Sequence, residues 1–377
     1  MAAYPRHVYR FRLIALLAAM AGVPGLAACG TDGPPGATPA PRAASWRGFA
    51  AGQWPGAGWR PYAPSSAFNR AVTAADAVNP RSRRMVDRVL SWGLPSDITA
   101  GLTDTAGDFD HPVYFARTTD PLVRLRAMRP WGRNPLTGRR IRVPAGARPA
   151  AGDDAHMAIV QPDGWEYDLW GVQHAPRSGV ALRFAWGGRL RIDGSGVGGA
   201  ATAADFGALA GIVRPEELAA GRIDHALFIV LRCTSNTSAF GAGARAARPE
   251  DRGSAFVHPA RKGGRRCTSR DADAPPMGAR FQLAMTDAEI GALGLPRWKR
   301  AIVTALARYG GYVGDTGGAG FGIVMLSGST YTSFGESDRL VDVARRAGIR
   351  AQGSEYRFDL ASGIDWGKRL RVLMPPR

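Results

Sequence analysis

The chain lacks the short motifs that identify several large enzyme classes. It contains no HExxH, no phosphate-binding GxxxxGK, no GxSxG and no zinc-type spacing of cysteine and histidine. These absences exclude the common zinc-protease, P-loop and nucleophile-elbow patterns. A glycine-rich run at residues 194–199 follows no convincing strand–helix–strand pattern, so we predict a turn there.

Lysine is also scarce, although the chain is strongly basic. The 49 basic residues include only Lys262, Lys299 and Lys368, and with 31 acidic residues the formal charge is +18. Such a charge would attract anionic glycans, teichoic-type polymers or lipid head groups. Nucleic acid is not expected, because no nucleic-acid motif is present and the arginines are scattered along the chain. GC-rich coding explains part of the arginine excess.

The N-terminus has the pattern of a lipoprotein signal peptide. Basic residues precede an apolar stretch at residues 13–28, which is shorter than the about 20 residues that cross a bilayer. The stretch ends in Leu26-Ala27-Ala28-Cys29, which resembles the lipobox of bacterial lipoproteins. We therefore predict a signal peptide at residues 1–28, lipidation of Cys29, and a protein held on the outer side of the cell membrane. The alternative is an ordinary signal peptide that happens to contain a cysteine, which would give a secreted protein.

The next segment is predicted to be a tether. Residues 29–58 are rich in proline, glycine and alanine and have few regularly spaced apolar residues. Residues 59–377 contain no internal repeat and no long proline- or glycine-rich break, so we predict one domain there, as a monomer.

Only three cysteines are present, and lipidation of Cys29 would leave two. Cys233 and Cys267 would then form a disulfide in an oxidising compartment. The alternative is two free thiols, because spacing alone does not bring two Cα atoms within bridging distance.

Helices are predicted at a few places. The run at residues 82–92 has helical apolar spacing, and Thr286 to Glu289 is a capping box. An apolar stripe follows Pro296 and ends at Gly310, and residues 338–347 suggest a fourth helix.

Most of the remaining sequence predicts short strands separated by turns. Examples are HPVYFA, HMAIVQ, WEYDLWGV, IDHALFIVLRC and FGIVML. This density of short strands is typical of an all-β architecture. We predict a mainly β fold, a jelly-roll-like β-sandwich with a few peripheral α-helices.

The most informative segment, at residues 153–170, predicts a β-hairpin. Pro162-Asp163-Gly164 is a strong turn, and a three-residue loop pairs Val160 with Glu166 and Ala158 with Asp168.

Side chains alternate between the two faces of such a hairpin. Four apolar residues fall on one face and predict core: Met157, Ile159, Tyr167 and Leu169. The other face carries the polar set and is predicted to be exposed in a groove: Asp154, His156, Glu166 and Asp168. With Trp170 for stacking, this face suits a sugar chain, because paired carboxylates perform acid–base chemistry on glycosidic bonds. The alternative is a polar outward face without a function.

A second motif lies at residues 214–227. Pro215 followed by two acids predicts the first turn of a short helix that ends at Gly221. Glu217 is a candidate catalytic acid. His225 lies on the apolar face of the following strand, so it is either catalytic or a buried, hydrogen-bonded core histidine.

Several motifs together resemble a family of exported bacterial proteins without an assigned activity. They include D-x-H at residues 154–156, E-x-x-x-G-x-I-x-H-A-L at residues 217–227 and P-P-M-G-x-R at residues 275–280. The resemblance spans nearly the whole mature chain and implies one continuous domain. The chain departs from the family pattern at two places. It has Tyr167-Asp168 where the family often has Tyr-Glu, and Asp315-Thr316-Gly317 where the family often has Asp-Asn-Gly. Both departures keep a carboxylate, at Asp168 and at Asp315.

These patterns lead to three functional hypotheses. The first is a glycoside hydrolase or polysaccharide lyase with Asp168 and Glu217 as the acid pair, assisted by His156, Asp154 or His225. The second is a non-catalytic glycan- or envelope-binding lipoprotein using the same groove. The third is a structural or adhesion protein. In the first two, Trp170, Glu166 and Asp315 would bind substrate.

No cofactor or metal is expected, with one minor option. Calcium could bind Asp153, Asp154 and a backbone carbonyl, although no EF-hand-like acidic loop is present.

Overall fold

The computed structural model describes residues 53–177, 179–235, 254–268, 273–318 and 320–375. The predicted signal peptide, the lipidation residue Cys29 and most of the predicted tether lie outside these residues. In the described part of the chain, every helix is too short or too polar to cross a membrane.

Strands dominate the secondary structure. The fifteen strands of the described residues are β1 (Ile98–Ala100), β2 (Val113–Phe115), β3 (Leu122–Ala127), β4 (Arg140–Arg142), β5 (Met157–Val160), β6 (Trp165–Trp170), β7 (Leu182–Phe184), β8 (Trp186–Arg191), β9 (Leu227–Leu231), β10 (Arg280–Leu283), β11 (Gly311–Thr316), β12 (Phe321–Ile323), β13 (Ala351–Gln352), β14 (Glu355–Phe358) and β15 (Leu370–Leu373).

The helices are short. In the same residues they are α1 (Ser82–Leu90), α2 (Pro215–Ala220), α3 (Asp287–Ala292), α4 (Arg297–Arg308), α5 (Ser329–Thr332), α6 (Arg339–Arg346) and α7 (Trp366–Arg369), with one 3-10 helix at Ala67–Asn69. The mainly β fold with a few peripheral helices is therefore confirmed. The predicted capping box is present, since the Thr286 side chain accepts from the Glu289 amide at the start of α3.

The strands form four sheets. A five-stranded sheet has the order β12-β9-β11-β10-β15, and a four-stranded sheet has the order β2-β5-β6-β8. Two three-stranded sheets have the orders β1-β14-β13 and β4-β3-β7. Three neighbouring pairs are parallel, namely β9 with β11, β2 with β5, and β3 with β7. Parallel neighbours need long crossover connections, so local hairpin signals could not predict these pairs.

The four-stranded sheet lies between two hydrophobic cores. One face, with Met157 and Ile159, packs in a core that includes Leu125 and Phe184 of the β4-β3-β7 sheet. The opposite face, with Ala158, packs in the larger core around the five-stranded sheet. A sheet buried on both faces has no solvent-facing side along most of its length.

The β5–β6 hairpin has the predicted register. Val160 pairs with Glu166 and Ala158 with Asp168. The amide of Gly164 donates to the Gln161 carbonyl, which closes the turn. Gly164 has a φ of 85°, a left-handed conformation that favours glycine.

The folded part begins earlier than the predicted boundary at residue 59. The Trp54 ring packs 5.0 Å from the Tyr331 ring, and the Arg214 side chain donates to the Pro55 and Trp59 carbonyls. The predicted end of the tether at residue 58 is therefore too late. Proline and glycine in this segment suggested a linker, but the contacts of Trp54 and Pro55 bind its last residues to the domain.

Cys233 and Cys267 form the predicted disulfide, with a Cα–Cα distance of 5.1 Å. The bridge joins the residues after β9 to the segment at residues 254–268, so it links the end of a central strand to a polar excursion.

Candidate functional site

The polar face of the hairpin is buried, which corrects the prediction of an exposed groove. Glu166 is 0% exposed and Asp168 is 2% exposed. The backbone amides of Leu209 and Ala208 donate to Glu166 Oε1 and Asp168 Oδ2, each at 3.1 Å. A loop that follows much later in the chain therefore covers the face that the sequence left open.

Tyr62 completes this buried cluster. Its hydroxyl donates to Glu166 Oε2 at 2.8 Å, and its backbone holds a φ of 71°, a left-handed conformation unusual for tyrosine. Gly207 allows the approach, because a Cβ there would clash with the Tyr62 hydroxyl. Backbone strain of this kind persists only where surrounding contacts fix the conformation.

The two carboxyl groups of the cluster favour their protonated forms. Burial raises the pKa of Glu166 to about 7. Burial and the neighbouring Glu166 raise the pKa of Asp168 well above its usual value. Asp168 Oδ1 is buried without a hydrogen-bond partner among the described residues. Glu166 and Asp168 therefore hold a proton in the core, and neither has solvent access for work on a polymer.

Glu217 belongs to a second buried network. It is 0% exposed, and its Oε1 accepts from Arg214 Nη2 at 2.8 Å and lies 3.1 Å from His225 Nε2. Burial would raise the pKa of Glu217, but the charges and hydrogen bonds of Arg214 and His225 lower it to about 2. The Glu217 carboxylate is therefore part of an internal ion pair with Arg214 and does not face a groove.

His225 is a buried, hydrogen-bonded core histidine, which was one of the two alternatives. Its Nδ1 lies 2.9 Å from the Ala226 carbonyl and its Nε2 faces Glu217, so both ring nitrogens have acceptors. Asp168 and Glu217 belong to two separate networks of hydrogen bonds, one with the Ala208 amide and one with Arg214 and His225.

Four other predicted site residues lie toward one edge of the four-stranded sheet, the one where β5 begins and β6 ends. Trp170 Nε1 donates to Asp154 Oδ1 at 2.9 Å. The His156 ring, just before β5, lies 4.6 Å from the His111 ring at a tilt of 42°, and His111 comes just before the parallel strand β2. Asp315, on β11, is close enough to Asp154 for the two charges to interact.

His111, in the segment HPVYFA, is a further residue of this site that the sequence pattern does not indicate. Its Nδ1 lies 3.2 Å from the Ala208 carbonyl, next to the amide that binds Asp168. Burial and the neighbouring His156 lower the pKa of His111 to about 3, and burial lowers that of His156 to about 4. Both imidazoles are therefore neutral at pH 7.

Asp154 and Asp315 are both half-buried, and they differ in their hydrogen bonds. Asp154 accepts from the Trp170 side chain, whereas Asp315 Oδ1 accepts from the neighbouring Thr316 amide at 2.6 Å. Burial, with a further contribution from the charge of Asp154, raises the pKa of Asp315 to about 7. At neutral pH the Asp315 carboxyl would then carry a proton part of the time, which suits general acid chemistry.

Three half-buried tryptophans form a cluster beside Asp154. The Trp131 ring stacks on Trp170 at 6.0 Å and 19°, and lies 5.7 Å from the Trp186 ring. Trp170 and Trp186 are direct cross-strand neighbours in β6 and β8. Only Trp170 was predicted, because the pairing of β6 with β8 and the position of Trp131 depend on contacts distant in sequence.

Within the described residues, no three histidine, cysteine or acidic side chains are grouped so that they could hold a metal ion. The arrangement described above combines an aromatic surface, two half-buried carboxyl groups and two buried imidazoles.

The comparisons with known proteins add no relative. No protein-family model matches this chain, and neither the curated proteins nor the solved structures gave a match. Any function must therefore be inferred from the site itself.

Proposed function

We propose that the protein binds glycan chains at the tryptophan cluster formed by Trp131, Trp170 and Trp186. The observation that carries this proposal is the position of three partly exposed indoles at one sheet edge. The Trp131 ring stacks on Trp170 and lies tilted against Trp186, and the Asp154 carboxylate accepts a hydrogen bond from Trp170. A soluble domain buries most aromatic surface, so a cluster left partly exposed favours a binding role.

The chemistry of the cluster fits sugars better than purely apolar ligands. Indole faces supply flat apolar area for sugar rings, and Asp154 can accept hydrogen bonds from sugar hydroxyls. A few polar groups beside an apolar lining are the usual composition of a small-molecule site.

We further propose that the protein works outside the cytoplasm as a lipoprotein with Cys29 lipidated. The disulfide between Cys233 and Cys267 supports this location, because disulfides persist mainly in oxidising compartments. Envelope or extracellular polysaccharides would then be within its reach.

Calorimetric titration with a panel of oligosaccharides tests the binding function. The wild-type protein should bind at least one glycan, and Trp170→Ala and Trp186→Ala should each weaken binding about tenfold, since aromatic anchors carry a large share of binding energy. Trp165→Ala is the matched control, since Trp165 is partly exposed at the opposite end of β6. Equal affinity in all four proteins would contradict the proposal.

A second candidate function is cleavage of the bound glycan, and the unlike environments of Asp154 and Asp315 favour it. In a hydrolase, the protonated Asp315 would donate to the leaving oxygen and Asp154 would act as base or nucleophile. In a lyase, Asp154 would remove the proton beside a uronate carboxyl group, and the protonated Asp315 would donate to the leaving oxygen as the C–O bond breaks and a C=C bond forms.

Assays for new reducing ends and for unsaturated uronate separate these outcomes. Asp154→Asn and Asp315→Asn should abolish turnover, whereas Glu217→Gln should alter stability without a specific effect on chemistry. The Asp154→Asn side chain retains an oxygen that accepts the bond from Trp170, so the tryptophan cluster should persist. Binding without turnover would leave the binding function alone.

A further inference from the structure

An unbalanced positive charge lies on the outer face of the β4-β3-β7 sheet. Residues 121–152, which include β3 and β4, contain eight arginines and no acidic residue. The arginines are scattered along the sequence as a whole, but the fold gathers several of them. In β3, Val123 and Leu125 point into the core, so Arg124 and Arg126 face outward.

The strand register places like charges directly opposite each other. Arg124 pairs with Arg140 across β3 and β4, and Arg126 pairs with Arg183 across β3 and β7. All four side chains are exposed. Adjacent strands lie about 4.8 Å apart and alternate residues about 6.7 Å apart, so the four residues form a compact basic array. Like charges opposite each other destabilise a sheet.

No carboxylate compensates this array. Among the ion pairs formed by described residues, none involves these four arginines, whereas Arg70, Arg308 and Arg339 each pair with an acid. These opposed arginines lower the folding stability and have no acidic partner among the described residues. Such a pattern is expected of a surface that binds an external anion.

The basic array lies close to the tryptophan cluster, because the chain after β3 runs beside Ala185, where the Arg129 amide donates to the Ala185 carbonyl at 3.2 Å. One residue beyond Arg126 and Arg183, Ala127 pairs with Phe184, and Trp186 follows two residues later. From the end of β3, Arg129 reaches over the Trp131 ring at 5.7 Å. A single extended ligand could therefore contact both surfaces.

We propose that the arginine face of β3, β4 and β7 binds the acidic groups of an anionic polysaccharide whose sugar rings stack on the tryptophan cluster. This inference rests on the glycan-binding function proposed above and names its substrate class. Guanidinium groups bind carboxylates through paired hydrogen bonds, which suits repeated uronate groups. The adjoining indoles favour a sugar polymer over a lipid surface.

Binding of a polyuronate hexasaccharide to the full chain tests the proposal. Arg124→Gln with Arg183→Gln should weaken binding at least about tenfold and reduce its salt dependence, since two charged contacts are lost. The control, Arg84→Gln with Arg300→Gln, removes the same charge from exposed positions on α1 and α4 and should bind like wild type. Thermal unfolding should show the Arg124/Arg183 variant folded and no less stable than wild type, because opposed positive charges have been removed.

Three results would bear on the two proposals differently. Unchanged hexasaccharide affinity in the Arg124/Arg183 variant overturns the inference. The inference is also overturned if the protein binds vesicles of anionic lipid through these arginines and does not bind the hexasaccharide. If hexasaccharide binding needs Arg124 and Arg183 but survives both Trp170→Ala and Trp186→Ala, anion binding by the basic face stands. Stacking on the tryptophan cluster, and the glycan-binding function proposed for it, then fail.

Discussion

The centre and the edge of the four-stranded sheet carry similar carboxyl groups in different environments. Glu166 and Asp168, in the middle of β6, are covered by the Ala208-Leu209 loop and by Tyr62. Asp154, beside the end of the same strand, stays half-buried next to Trp170. The comparison shows that an acid's position on a polar strand face does not give its role. The residues that cover that face determine whether the acid has a structural or a functional role.

The largest expected effect concerns Glu217, the buried acid of the second network. Glu217→Ala should lower the free energy of unfolding by about 3–5 kcal/mol, because it leaves Arg214 buried without its charge partner. Urea unfolding measures the loss. Glu355→Ala, which breaks the more exposed ion pair with Arg357, should cost no more than about 1 kcal/mol. Similar losses in both variants would show that the Glu217 network is not a structural centre.

The second prediction concerns pH. The raised pKa of Glu166, about 7, means that the folded state binds more protons than the unfolded state above pH 4.5. Its contribution to stability therefore falls as pH rises from about 4.5 to 7, by roughly 2–3 kcal/mol.

Comparison with Glu166→Gln isolates this contribution from other titrating groups. Buried His111 and His156 act in the opposite direction at acid pH, because their lowered pKa values make the folded state bind fewer protons. As pH rises, the unfolding free energy of the wild type should fall relative to that of Glu166→Gln. A difference that is constant from about pH 4.5 to about pH 7.5 would refute the buried, protonated state.

A smaller effect is expected at the cover of the sheet centre. Tyr62→Phe removes the hydroxyl that donates to Glu166 and should cost about 1 kcal/mol. The pKa of Glu166 should also rise further, because that bond stabilises its charged form. Chemical unfolding at pH 5 and pH 7 should show a larger loss at pH 7, and equal losses would contradict this coupling.

The smallest effect on stability is expected at the edge. Asp154→Asn keeps an acceptor for Trp170 and should change the unfolding free energy by less than about 0.5 kcal/mol. The same variant should weaken glycan binding, because a neutral amide is a weaker acceptor than a carboxylate. Titration and urea unfolding of one sample measure both effects. A large stability loss would place Asp154 with the covered acids.

Local features of the site were predictable from the sequence. The Pro162-Asp163-Gly164 turn and the alternation around it gave the hairpin register, and the cysteine count gave the disulfide. Turn chemistry and residue alternation act over a few residues, so one sequence is enough to infer them.

The cover of the polar face was not predictable in the same way. Glu166 meets Tyr62 and Leu209, which are 104 and 43 residues away in sequence. No local pattern at residues 206–210 indicates that their amides bind two carboxyl groups. The same limit applies to Trp186 and to the arginine pairs, which depend on strand neighbours that parallel and long-range connections bring together.

The most direct test of the central claim follows the indole N–H signals of the tryptophans by NMR while an oligosaccharide is added. We expect the signals of Trp131, Trp170 and Trp186 to move together, while those of Trp165 and the buried Trp298 stay in place. Shifts confined to Trp165, or no shift with any glycan of a neutral and uronate panel, would contradict glycan binding at the sheet edge.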